Sequence, residues 1–144
     1  MPHLVILYSG NLESRTDVSS LCRGLADAML QQRDEAGKPV FPAGGTRVLA
    51  YPAAHFSIGD GGSAGRAAGG SGDYGFVYLN LRMGRGRSEA VHRGVGEALT
   101  ALVRTHFAPL QDQEHVGVTL QIDVGAEVYD AKMSSLHPLF NQPG

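Results

Sequence analysis

A chain of 144 residues, 42% hydrophobic and 18% charged, is sized and composed for one domain with a buried core. Its net charge of −2 and pI near 6.3 give no electrostatic pull toward nucleic acid or an anionic membrane, and no apolar run approaches the roughly 18 residues of a spanning helix. A single cysteine, Cys22, excludes an internal disulfide; with no signal-peptide pattern at the start, the expected compartment is the cytoplasm.

In "MPHLVILYSGN" the run Leu4 to Tyr8 predicts a short strand buried on both faces. From Asp17 to about Arg33, Val18, Leu21, Cys22, Leu25, Met29 and Leu30 fall at helical spacing on one stripe, with Thr16 or Asp17 as the N-cap. "DEAGKPVFPAGG" then reads as a turn-rich connection and "TRVLAYPAAHFSI" as a second strand, whose Pro52 suggests a sheet edge or a bend. Eight of the twenty glycines crowd into Gly59 to Gly75, a composition expected to form a flexible connector rather than packed structure.

"YGFVYLNLRM" alternates, with Val77, Leu79, Leu81 and Met83 on one face of a third strand. "GRGR" is a turn. Ser88 caps a second amphipathic helix, expected to reach Phe107 through Val91, Val95, Leu99, Leu102 and Val103. Val116, Val118, Leu120, Ile122 and Val124 alternate in a fourth strand.

The order is strand–helix–strand, connector, strand–helix–strand: two βαβ units, each with parallel strands joined through a helix. The expected fold is of the α/β (α+β) class, one four-stranded mixed sheet with both helices on one face. As a single domain over 1–144, it divides into halves of about 1–58 and 73–125, a connector at 59–72 and a C-terminal tail at 126–144. With no further helix to cover the second sheet face, and an apolar tail "YDAKMSSLHPLF" hard to bury in one copy, an oligomer is expected and the tail is assigned to its assembly.

Most formal motif matches have ordinary readings. Gly61-Gly62-Ser63-Ala64-Gly65 fits the G-x-S-x-G pattern, but a nucleophile elbow needs a strand before the serine and a helix after it, and neither is expected here. The glycine-rich stretch lacks the ending of a phosphate-binding loop. His3, His55, His92, His106, His115 and His137 show no metal-ligand spacing, so no metal is expected, and Cys22 on an apolar stripe reads as a core residue.

Two features carry more chemistry. A proline behind the initiator Met becomes a free secondary amine once Met1 is removed; with Met1 retained, the Pro2 nitrogen is an amide without basicity. Arg82, Arg85, Arg87 and Arg93 surround a glycine turn at a helix start; on these residues alone a solvated basic turn is the favoured reading, but unpaired N–H groups there favour anions and an arginine can grip a carboxylate in bidentate fashion. Arg47, following "FPAGG", is a further cationic candidate.

Pro2, Arg47, the "GRGRS" turn and the duplicated βαβ pattern, with "FPAGGTR", "GDYGFVYLNLRMGRGRS", "THFAPL" and "LHPLF", spread over most of the chain. Together they resemble the 5-carboxymethyl-2-hydroxymuconate Δ-isomerases of the tautomerase superfamily. The resemblance implies a tautomerase-like homotrimer that needs no cofactor or metal and acts on a small polycarboxylate. It also implies that Pro2 is the catalytic proline and that Arg47 and Arg87 are active-site arginines that bind substrate. The leading functional reading is an intramolecular proton-shifting isomerase in homoprotocatechuate-type aromatic breakdown. Another amino-terminal-proline tautomerase with a different enol substrate is the second reading, and a non-catalytic trimeric scaffold the third. Removal of Met1, visible in the intact mass, keeps both enzyme readings; its retention favours the scaffold.

Overall fold

The computed structural model describes residues 2–141; Met1 and positions 142–144 of the expected assembly tail lie outside the described residues. Among these described residues four strands form one mixed sheet: β1 (His3–Ser9), β2 (Arg47–Ala53), β3 (Gly75–Gly84) and β4 (Val116–Gly125), in the order β2-β1-β3-β4. β1 runs parallel to β2 and β3 parallel to β4, while β1 and β3 meet antiparallel at the centre. The sheet order leaves β2 on an edge, where Pro52 costs no ladder hydrogen bond toward a further strand.

Among the described residues four α-helices accompany the sheet: α1 (Val18–Leu30), α2 (Ser63–Ala67), α3 (Glu89–Gln111) and α4 (His137–Phe140). The long pair, α1 and α3, start where side chains satisfy their first free amides. Asp17 accepts from Ser20 N at 3.0 Å, and Ser88 accepts from Val91 N at 3.2 Å. Their apolar stripes pack on one face of the sheet, where Leu21, Leu25, Met29, Leu99, Val103 and Phe107 close over Leu4, Ile6, Leu79 and Leu81. This is the expected mixed-sheet α+β class.

Strand parity sorts the other face. His3, Val5 and Leu7 of β1 share it with Arg47, Leu49 and Tyr51 of β2 and with Arg82, Asn80 and Tyr78 of β3. Beyond His3 and Arg47, its β2–β1 half is apolar and open in the single chain, with Leu7 and Leu49 each 47% exposed and Tyr51 51% exposed. Its β3–β4 half is polar, with Tyr78 donating to Gln121 at 2.9 Å and Asn80 to Asp123 at 2.8 Å.

Several local expectations require correction. The connector is not merely flexible. It contains α2, its Gly62 and Gly65 are buried, and the Gly65 amide donates to the Tyr74 hydroxyl at 2.8 Å. A helix therefore does start at Ser63, although β2 ends at Ala53, so the strand that a nucleophile elbow needs is still absent. The glycines serve close packing here: Gly62 has φ +105°, and a Cβ on it would lie 2.2 Å from the Gly72 carbonyl oxygen.

The first helix stops at Leu30, short of Arg33. The following connection carries two core residues, Val40 and Phe41, which composition alone had assigned to a turn. β2 ends at Ala53, five residues before Ile58. α3 continues past Phe107 through Pro109 to Gln111, because the half-buried Leu110 extends the apolar stripe by another turn. The tail, expected without a helix, forms α4 and docks against the 3-10 turn Ala43–Gly45 of its own chain.

Candidate active site

Pro2 is buried and immediately precedes β1. Because His3 is in register with Arg82 of β3 and Arg47 of β2, Pro2 stands beside Met83 on one side and Thr46 on the other. Arg87 comes from the turn after β3. Gly86, at φ +109°, makes that turn possible, and the Ser88 cap begins α3 immediately afterwards. The Arg87 guanidinium is anchored on its own chain, its Nη2 donating to the Val40 carbonyl. The Ser88 hydroxyl, in turn, donates to Glu35 and ties the turn to the loop after α1.

Pro2 and Arg87 meet in one cavity of about 410 Å³. Phe41, Pro42, Met83 and Gly84 supply apolar wall and backbone, and the tail contributes Lys132 and His137. The cavity thus brings together the Pro2 ring at the mouth of a buried strand, two cations and an imidazole. Apolar walls disfavour the charged form of an amine, whose ordinary value lies near roughly 7.7–8.0, and neighbouring cations lower it further.

Arg47 is not among the described residues that line this cavity, so within the single chain the three expected site residues do not meet there. The reason is parity: Arg47 sits on the open face with Leu49 and Tyr51, whereas the cavity opens beside Met83 and Phe41 of the core side. Its Nη1 donates to the Gly45 carbonyl at 3.1 Å. On that face it neighbours His3, whose pKa is lowered first by burial and then by the Arg47 charge. The remaining arginines of the turn separate: Arg85 is exposed, Arg82 faces the open side opposite Asp123, and Arg93 lies 3.6 Å from Glu89.

Lys132 and His137 were not identified as site residues from sequence. Lys132 offered no signal, being one cation in an irregular tail. "LHPLF" marks the segment that holds His137, but nothing local in it points to this cavity, and the exposed Leu139 and Phe140 beside it leave the assembly expectation open.

The match with a family model extends over residues 2–140, and that model describes 5-carboxymethyl-2-hydroxymuconate isomerase. The chain belongs to this isomerase family. A crystal structure of a 5-carboxymethyl-2-hydroxymuconate Δ-isomerase is 66% identical and superposes with a TM-score of 0.96, covering 100% of this chain and 95% of that one. The 5-carboxymethyl-2-hydroxymuconate Δ-isomerase of Escherichia coli is 26% identical over 140 residues, 97% of this chain and 99% of its own length. A more distant solved structure, a fused 4-OT described as an asymmetric trimer, is 17% identical with a TM-score of 0.54 over 97% of this chain and 99% of that one. It shares the fold, and the tautomerase-like architecture expected from sequence is the one observed. This member of the isomerase family has no helix long and apolar enough to cross a membrane among its described residues.

Proposed function

We propose that this protein isomerises 5-carboxymethyl-2-hydroxymuconate, with the secondary amine of Pro2 as general base once Met1 has been removed. The observation that carries the reading is the meeting of Pro2 and Arg87 in one part-apolar cavity of a chain belonging to this isomerase family. An amine that is neutral near pH 7 is matched to moving a proton between oxygen and carbon. It takes the proton of the 2-hydroxyl group, the electron pair moves along the conjugated diene, and a carbonyl forms at carbon 2. Protonated Pro2 then delivers the proton to a carbon further along the chain, which restores the base and completes the shift.

Arg87 holds a substrate carboxylate and stabilises the negative charge that spreads over the dienolate. Its bond to the Val40 carbonyl fixes the guanidinium before substrate arrives, so little ordering remains to be done on binding. Arg47 contributes from the open face of the sheet. In the homotrimer we infer, that face is covered, and Arg47 serves the cavity of a neighbouring copy. The half-exposed Leu7, Leu49 and Tyr51 support this assembly, since burying such a patch favours association. The reaction fits a cytoplasmic step in the breakdown of homoprotocatechuate-type aromatic compounds.

The test is a direct ultraviolet assay of Met-processed protein, its processing verified by intact mass, with 5-carboxymethyl-2-hydroxymuconate. Catalysed loss of the dienol chromophore supports the assignment. A rate equal to the buffer background with correctly processed protein overturns it.

A further inference from the structure

We propose that Lys132, carried on the C-terminal tail, is a further carboxylate-binding residue of the Pro2–Arg87 cavity and sets its preference for the most highly charged substrate. The inference rests on the isomerase reading above and extends it to how the substrate's carboxymethyl arm is selected. A muconate bearing that arm presents three carboxylates. Within the protomer, Arg87 is one cation of the cavity, and one of its Nη2 donors is already committed to Val40. Lys132 is the other.

The tail is seated so that it can supply this charge. His137, the first residue of α4, lies directly against the turn Ala43–Gly45: a Cβ on Gly44 would come 3.2 Å from His137 Cα and 3.3 Å from its ring. Gly44 thus leaves the room that lets the tail close against the cavity, just beyond the Phe41 and Pro42 wall. Lys132 Nζ lies 2.7 Å from Asp130 Oδ2. An ammonium group has three donors, so this pair orients Lys132 and leaves two donors for substrate. The side chain is half-exposed, and its flexible stem suits it to bind a peripheral carboxylate rather than the reacting atoms.

The experiment compares wild type, Lys132→Met and Lys132→Arg on two substrates, the tricarboxylate and 2-hydroxymuconate, which lacks the third carboxylate. Lys132→Met is expected to raise KM for the tricarboxylate about tenfold, the range of one charge-assisted hydrogen bond. The KM for 2-hydroxymuconate and both kcat values should stay within about twofold of wild type, and Lys132→Arg should recover most of the loss. Equal KM changes on both substrates, no change, or a kcat loss that arginine does not rescue overturns the inference. Calorimetric binding of tricarballylate separates the two ways of failing. Wild type without muconate turnover sinks the isomerase reading. Tricarballylate binding that is absent in wild type, or equally tight in Lys132→Met, sinks the role of Lys132.

Discussion

Pro2 and Arg87 reach one cavity from positions 85 apart in sequence because β1 and β3 lie antiparallel and adjacent, so that the start of β1 meets the end of β3. The division of work proposed for them predicts different kinetic signatures. Arg87→Ala should raise KM for the muconate by about tenfold or more, the scale of a charge-assisted pair, while an uncharged enol ester loses far less. Equal losses on both substrates, in steady-state assays run side by side, would make Arg87 structural. Elsewhere His106 ties α3 to the loop before α1, its Nε2 lying 2.7 Å from Thr16 Oγ1 and its ring meeting Phe107 edge-on. Burial holds this imidazole below its ordinary value of 6.5, with Asp17 pulling weakly the other way. The folded state therefore resists a proton that the unfolded state accepts. The contribution is fully present above pH 6.5 and is lost as the pH falls below it. Urea unfolding midpoints should decline across that range, and His106→Gln should flatten the decline; superimposable profiles would remove His106 as the cause.

At the scale of elements, the connector is the sharpest departure from what composition suggests. If its glycines were only flexible, Gly62→Ala would be neutral. With φ at +105° and the Gly72 carbonyl in the way, the substitution should instead cost about 1–3 kcal/mol in chemical unfolding. An unchanged midpoint would restore the flexible reading. What was legible here had a local cause. The alternation of Val77, Leu79, Leu81 and Met83, the stripe from Val91 to Phe107, and the caps Asp17 and Ser88 each act within a few residues, and each of these elements exists and starts where expected, although both helix ends differ. What was not legible depends on partners distant in sequence. Val40 and Phe41 are buried only because the sheet and helices assemble over them, and Gly62 is needed only because Gly72 folds back on it. Lys132 and His137 join the cavity only because α4 docks on the turn at Gly44. Of the three expected site residues, Pro2 and Arg87 line one cavity, a meeting that depends on the β1–β3 pairing and not on local sequence, whereas Arg47's separation from them follows from strand parity.

For the whole molecule, the separation of Arg47 from the Pro2 cavity makes a prediction about assembly. In a homotrimer whose sites cross subunit boundaries, Pro2→Ala and Arg47→Ala chains should complement each other. Co-refolded in equal amounts, two nearly inactive variants should recover roughly a quarter of wild-type activity, the fraction of all interfaces that join an intact Pro2 to an intact Arg47. No recovery, with mixed trimers verified by native mass spectrometry, would return Arg47 to a role within its own protomer. The open apolar row of Leu7, Leu49 and Tyr51 is one surface that such an assembly gains by burying, and the more exposed Tyr129 and Met133 of the tail are another.

The central claim is that the Pro2 amine moves the proton, and kcat/KM for 5-carboxymethyl-2-hydroxymuconate in Met-processed Pro2→Ala tests it most directly. Alanine leaves an amine at the terminus but removes the rigid secondary one. Turnover should fall by about 10²–10⁴-fold, the usual contribution of a positioned general base, with circular dichroism and oligomeric mass unchanged. Activity within a few-fold of wild type would contradict the assignment.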